Sequence, residues 1–218
     1  MHAEEAAEKR DLLVDSLIRR GYVVTPAVEA AMRRVPREEF VPARLRPDAY
    51  VDSPLPIGEG QTISAPHMVA IMAEKLDLHP GHKVLEVGAG SGYHAAVVAE
   101  LVRPQGRVFT VERVESLALF AKANLSRAGY SDTVEVVIGE CSLGLPERAP
   151  FDRIFVACGA PDVPTPLVNQ LSEGGKMLVP VGGRMYQDLI RVERKGGHIT
   201  REDHGGCVFV PLIGEHGY

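Results

Sequence analysis

The sequence predicts an α/β chain of Rossmann-like type: a mostly parallel, doubly wound sheet with antiparallel C-terminal strands and an N-terminal helical cap. Three observations carry this reading. Strand-like runs at 83–87, 107–112, 134–138, 152–157 and 176–180 largely alternate with helical patterns at 93–101, 114–128 and 165–172, the order of a parallel sheet covered on both faces. The segment 84–93, Val-Leu-Glu-Val-Gly-Ala-Gly-Ser-Gly-Tyr, runs from a β-branched strand through three glycines into an Ala/Val-rich helix. Past residue 181, the runs 189–193, 198–201 and 207–210 are strand-like with no helix between them, and they read as antiparallel additions to one sheet edge.

The cap comes first in the chain. A helix is predicted over 4–20, with Leu13, Val14, Leu17 and Ile18 on one face and Gly21 as its stop. Thr25-Pro26 opens a second helix through Arg34, with proline at its favoured first position. A short helical turn follows at 36–42, then a Pro/Gly-rich loop over 48–60. Ser64 is placed to cap a helix over 66–76. A chain of 218 residues holds one sizeable core, so a single domain is expected: helices and a substrate loop over 1–80, a cofactor-binding core over 81–180, and C-terminal strands over 181–218 that contribute to substrate binding.

Composition excludes several classes. A net charge of −5 and a pI near 5.9 argue against broad binding to nucleic acid or anionic membrane. The first residues lack the basic and apolar regions of a signal peptide, and no apolar run approaches the length of a membrane span. Cys141, Cys158 and Cys207 are odd in number and scattered, as free thiols in a reducing cytoplasm would be. The eight histidines form no metal-ligand pattern, so no metal is expected.

The glycine loop has the order of a nucleotide-type cofactor site, in which glycines allow close backbone approach and the helix N-terminus offers free N–H groups. Gly88, Ala89, Gly90, Ser91 and Gly92 are its cofactor-binding candidates. About twenty residues on, Glu112 closes the next strand, where an acid accepts hydrogen bonds from ribose hydroxyls. The spacing is Gly-x-Gly-x-Gly rather than the dinucleotide Gly-x-Gly-x-x-Gly, and no Lys-Ser/Thr pair marks a P-loop. Glu86 lies two residues before the first glycine, where it repels a pyrophosphate but suits a ligand carrying ammonium and sulfonium charges. S-adenosyl-L-methionine is such a ligand. The plainer alternative is a tight strand-to-helix turn with no ligand.

Several segments together resemble the protein-L-isoaspartate (D-aspartate) O-methyltransferases. They are Val-Pro-Arg-Glu-Glu-Phe-Val-Pro at 35–42, Gly-Gln-Thr-Ile-Ser-Ala-Pro-His-Met at 60–68, the glycine-loop segment 84–94, Ala-Pro-Phe-Asp at 149–152, Leu-Ser-Glu-Gly-Gly-Lys at 171–176 and Phe-Val-Pro-Leu at 209–212. The Gln-Thr-Ile-Ser-x-Pro and Phe-Val-Pro-Leu segments are the specific ones. The resemblance implies methyl transfer from S-adenosyl-L-methionine, leaving S-adenosyl-L-homocysteine, to the carboxylate of L-isoaspartyl, and by the family name D-aspartyl, residues of damaged proteins. The ester then collapses to a succinimide that reopens partly to aspartate. Damaged proteins or peptides are the implied partners of a cytoplasmic monomer.

A carboxylate with an ordinary pKa of about 4 is already ionised at neutral pH, so the reaction needs positioning and exclusion of water rather than a general base. Ser64 is the candidate for orienting it, since a hydroxyl donates one hydrogen bond without adding positive charge. The competing use of Ser64 is the helix cap. Thr62 either shares the substrate carboxylate or lines the loop, and His67 either reaches the mouth of the site or lies on the surface. The tail at 208–212, with Val210 and Leu212, either pairs with an extended substrate peptide or packs as an edge strand. Arg113, beside Glu112, joins the cofactor candidates.

The sequence departs from the resemblance at Gly139-Glu140-Cys141, where the family has Gly-Asp-Gly with its acid on the adenine amino group. Glu140 keeps an acceptor one methylene longer, and Cys141 replaces a glycine. At 157–161, Ala-Cys-Gly-Ala-Pro lacks the Asn/Asp-Pro-Pro-Tyr/Phe of many base methyltransferases, and Cys158 sits either near the cofactor or buried as a small apolar group. Three rival readings remain at this point. One is a methyltransferase with another acceptor, a second is a non-catalytic module binding cofactor or peptide, and the third is a nicotinamide dehydrogenase, which the glycine spacing and Glu86 disfavour.

Overall fold

A computed structural model describes residues 2–218. Helices α1 (Ala3–Arg19) and α2 (Pro26–Arg34) open the chain, and the Thr25 hydroxyl accepts the Val28 N–H to cap α2. Two 3-10 turns, Arg37–Phe40 and Ala43–Asp48, lead to a hairpin of β1 (Leu55–Gly58) and β2 (Gln61–Ile63), then to α3 (Pro66–Leu76). The hairpin lies where the sequence predicts loop. Its signal is the burial of Leu55, Ile57 and Ile63 on one face, masked by Pro56, which an edge strand tolerates.

The α/β core follows: β3 (Lys83–Val87), α4 (Tyr93–Val102), β4 (Arg107–Glu112), α5 (Glu115–Arg127), β5 (Val134–Ile138), β6 (Phe151–Val156), α6 (Thr165–Asn169), β7 (Leu171–Gly182), β8 (Gln187–Lys195) and β9 (His198–Cys207). Seven strands form one sheet in the order β5-β4-β3-β6-β7-β8-β9, parallel through β7 and antiparallel beyond it. The order reverses between β3 and β6, so the glycine loop leaves β3 at the switch point where open α/β sheets bind ligands.

Strand alternation divides the core into two apolar layers. Val84, Val108, Phe155 and Leu178 pack against α4 and the N-terminal helices, whereas Leu85, Val87, Ile154, Val156 and Met177 face α6. Among the described residues, no helix is long and apolar enough to cross a membrane.

The strands β7, β8 and β9 run longer than predicted, and two other differences have a visible cause. Helix α6 stops at Asn169 because Leu171 already pairs with Phe151, and β7 reaches the later predicted strand through an irregular register. The run 207–210 is not a strand of the sheet. β9 ends at Cys207, Phe209 N donates to Gln187 Oε1 (2.8 Å), and the tail crosses to residue 159, whose N donates to Val210 O (2.8 Å) and whose O accepts from Leu212 N (2.7 Å). The tail therefore covers the C-terminal end of the sheet, directly over the glycine loop.

Candidate active site

The glycine loop is held open by its own backbone. Gly88, Gly90 and Gly92 have φ of 94°, 52° and 85°, a region that side chains rarely adopt. A Cβ on Gly88 would stand 2.8 Å from Cys158 Sγ, so the absence of a side chain keeps the floor of the site clear. Gly92 caps α4 and backs against Leu125 rather than lining the cavity. Asn124 on α5 supports the loop from behind, donating to Ser91 O (3.0 Å).

Two adjoining cavities, of about 480 and 440 Å³, meet at Gly88, Glu112, Cys158 and Gln61. The first contains Gly88, Ala89, Gly90, Ser91, Glu86, Thr62, Ser64 and Val210 in its wall. The second contains Arg113, Cys141 and Leu212. Glu112 is oriented by two backbone donors, Gly90 N to Oε2 and Val114 N to Oε1, each at 3.0 Å. Both carboxylate oxygens thus stand fixed at the junction, with lone pairs left for further donors.

Glu86 is the anomaly of the site. It sits mid-strand between Thr110 and Phe155, 1% exposed, and neither carboxylate oxygen has a hydrogen-bond partner among the described residues. Burial pushes its carboxyl up to about 8 against the nearby Thr110 hydroxyl, which is not in hydrogen-bond geometry with it, and the negative Glu112 adds to the rise. An orphaned buried carboxylate is costly, and a ligand cation is the group that would satisfy it. His94 also lines the first cavity with both ring nitrogens unpartnered; burial holds it neutral, down to about 3. Burial likewise pushes Cys141 up to about 12 and Cys158 well above the ordinary thiol value, so both act as small apolar wall groups.

A third, wider groove of about 1200 Å³ borders the first cavity and is lined by Thr62, Ser64, His67, Arg184 and the tail Val208 to Pro211. Ser64 belongs to both the groove and the first cavity, and so marks the passage between them. It does not cap α3. Residue 65 is the N-cap, with no side-chain bond, and the Ser64 hydroxyl has no partner among the described residues. His67 is half-buried rather than a free surface residue: Asp52 Oδ1 accepts its backbone N–H and meets its Nδ1, both at 2.9 Å.

Two sequence candidates fall elsewhere. Glu140 stands outside both cavities, its oxygens accepting from the Ser142 N–H (2.9 Å) and hydroxyl (3.0 Å), so it caps the 3-10 turn Cys141–Leu143. The longer glutamate folds back onto its own turn. Leu212 is buried on the second cavity and is absent from the groove, because its backbone is tied to residue 159. Gln61 and His94 line the site without having been singled out. Gln61 opens β2 of a hairpin hidden by its prolines, and His94 is an imidazole inside a largely apolar helix, which was the available signal.

A parallel sheet with a glycine loop at its switch point, an oriented acid at the next strand end and an unpaired buried carboxylate define the class of S-adenosylmethionine-dependent methyltransferases. The family model described as protein-L-isoaspartate(D-aspartate) O-methyltransferase matches residues 8–217, and the chain belongs to that family. Protein-L-isoaspartate O-methyltransferases of Methanopyrus kandleri and Hyperthermus butylicus are 62% and 56% identical to it; the matches cover 96% and 97% of this chain and 93% and 91% of those proteins. A crystal structure described as a protein-L-isoaspartate O-methyltransferase from Plasmodium falciparum, in complex with S-adenosyl-L-homocysteine, superposes with a TM-score of 0.85 at 29% identity, covering 94% of this chain and 98% of that one.

Proposed function

We propose that the chain transfers the methyl group of S-adenosyl-L-methionine to the free carboxylate of L-isoaspartyl residues in damaged proteins, with Ser64 orienting the acceptor. The observation that carries the role of Ser64 is its place at the passage between cofactor cavity and open groove, with a hydroxyl that has no partner among the described residues. The residues fit the cofactor: Glu86 for its ammonium, Glu112 for the ribose, the glycine-loop backbone for its carboxylate, and the wall containing Cys141 and Leu212 for the adenine. When bound, the cofactor supplies an electrophilic methyl group on a positively charged sulfur.

The chain's own groups then do three things. The groove receives the peptide. Ser64 donates one hydrogen bond to a carboxylate that is already ionised at neutral pH, and Thr62 stands beside it. The tail and the hairpin residue Ile63 add apolar walls beside the passage, which favours exclusion of water once both reactants are in place. Holding the two reacting groups in line is worth roughly 7–11 kcal/mol in well-oriented cases. The unpaired edge of a mobile peptide needs no side-chain code for such capture, which suits damage in many sequence contexts.

We further infer one catalytic unit spanning the N-terminal helices, core and C-terminal strands, acting as a cytoplasmic monomer. The cavity and groove walls draw on all three stretches, and the charge of −5 disfavours nucleic acid. The test is transfer of labelled methyl groups to an isoaspartyl peptide beside its aspartyl twin, with native protein and Ser64→Ala. Label on the isoaspartyl peptide alone is expected, with turnover reduced about a hundredfold by the substitution and S-adenosyl-L-homocysteine affinity nearly unchanged. Unchanged turnover in Ser64→Ala sinks the serine's role.

A further inference from the structure

We propose that Arg37 is a positioning residue for methyl transfer, clamping the backbone of Ser64 at a fixed distance from the cofactor loop. The proposal rests on the reading of Ser64 given above. Arg37 is 0% exposed and makes no ion pair among the described residues. Its Nε donates to Ala49 O (2.8 Å), its Nη2 donates to Ser64 O (2.9 Å), and its guanidinium carbon lies 4.8 Å from the centre of the Tyr93 ring, the first residue of α4 after the glycine loop. One planar fork thus joins three segments: the turn at Ala49, the peptide of Ser64 and the helix that carries the cofactor loop.

A buried charge without a carboxylate is a poor choice for filling space, since an apolar side chain of similar volume packs at lower cost. What the charge obtains here is two strong donors aimed at carbonyls, one of them on Ser64. That serine needs external support. Its hydroxyl has no partner among the described residues, and the N-cap of α3 makes no side-chain bond, so its backbone sets where it stands. Asp52 supplies a second anchor on the same stretch by accepting the His67 N–H (2.9 Å), while its other oxygen meets Arg20 Nη1 (2.7 Å). The segment 64–67 is therefore strapped at both ends to the turn 49–52. This also gives a use to the Val-Pro-Arg-Glu-Glu-Phe-Val-Pro segment, which supplies no wall of the cavities or the groove.

The experiment measures kcat on an isoaspartyl peptide, S-adenosyl-L-homocysteine affinity by calorimetry, and melting temperature for Arg37→Met, Arg37→Lys, Asp52→Ala, Ser64→Ala and Arg37→Met combined with Ser64→Ala. Arg37→Met and Arg37→Lys should lower kcat about tenfold or more, assayed well below their melting temperatures, because lysine cannot bridge two carbonyls as the fork does. Cofactor-product affinity should stay within about twofold, and in the Ser64→Ala background the Arg37 change should cost less than about threefold, because the two residues act as one unit. Should Arg37→Met fail to fold, Arg37→Lys and Asp52→Ala carry the test. A kcat within about twofold of native in the folded variants, or full additivity in the double variant, overturns the clamp. Lost cofactor affinity also overturns it, by moving Arg37's role to the glycine loop. A drop in Ser64→Ala without one at Arg37 removes the clamp alone, whereas an unaffected Ser64→Ala removes the serine reading and the clamp with it.

Discussion

The two halves of the site are built by different means. The half proposed for the cofactor is local: Glu86 and Glu112 are buried on two adjacent parallel strands, and the glycines lie in the loop that leaves the first of them. The half proposed for the acceptor is assembled from afar, with Ser64 and His67 on a cap segment, Arg184 in the β7–β8 turn and the tail Val208 to Pro211 folded back across the sheet end. Val208 there is 71% exposed, against 1% for Glu86. A cofactor of one fixed shape permits a cavity prebuilt within the sheet. An acceptor embedded in many different proteins requires a groove open at its ends.

Glu112 offers the largest test of this contrast. Its orientation is set by Gly90 N and Val114 N before any ligand arrives, so the affinity it supplies should be lost as a unit. Two charge-assisted hydrogen bonds of about 1.5 kcal/mol each predict that Glu112→Ala weakens S-adenosyl-L-homocysteine binding about a hundredfold in calorimetry. The KM for the isoaspartyl peptide, measured at saturating cofactor, should move little. Equal losses in both would show that the two halves are not separate.

The same division decides what was legible in the sequence. Strand, glycine loop and helix follow one another in the chain, so the spacing of Glu86, Gly88 and Glu112 was enough to place them in one cavity. The parallel order of β3 to β7 followed from the same periodicity. The acceptor half depends on contacts across tens of residues, which no local pattern encodes. Local pattern leaves Ser64 open as cap or as groove residue; the fold decides it, because residue 65 is the N-cap of α3. The tail read as an edge strand because alternation cannot tell a ladder partner from a segment tied to residue 159 by two hydrogen bonds. Arg37 gave no signal at all, since nothing in a run of charged residues marks the one that is fully buried.

Glu86 sharpens the comparison through pH. Its carboxyl rises from an ordinary 4.5 to about 8 in the folded chain. Between those values the folded state holds a proton that the unfolded state has released, so this group's contribution to stability is full below about 4.5, declines as pH rises and is gone above about 8. Glu86→Gln removes that decline, and the unliganded variant should melt above the native protein at alkaline pH. Cofactor binding should show the opposite preference. A ligand ammonium favours the ionised carboxylate, so native affinity should increase toward pH 8 with release of a proton, read from calorimetry in buffers of different ionisation enthalpy. The glutamine variant should bind about tenfold more weakly at pH 8 and release none. A native affinity flat across this range would mean that Glu86 does not meet the ammonium.

The smallest expected effect lies at the boundary of the prebuilt half. Glu140 stands where the family resemblance implies an adenine contact, yet both its oxygens serve Ser142, and a Cβ on Gly214 would lie only 1.9 Å from Oε1. To reach a ligand, the side chain would have to give up two hydrogen bonds and uncap the turn Cys141–Leu143, leaving its N–H groups unmatched. Glu140→Gln keeps one acceptor for that turn and should change S-adenosyl-L-homocysteine affinity by less than about threefold while lowering the melting temperature slightly. A loss nearer tenfold, with the melting temperature unchanged, would place the carboxylate on the adenine and show that the cofactor half also rearranges when it binds. The cavity would then be selected by the ligand rather than built in advance, and the contrast between the two halves would become one of degree.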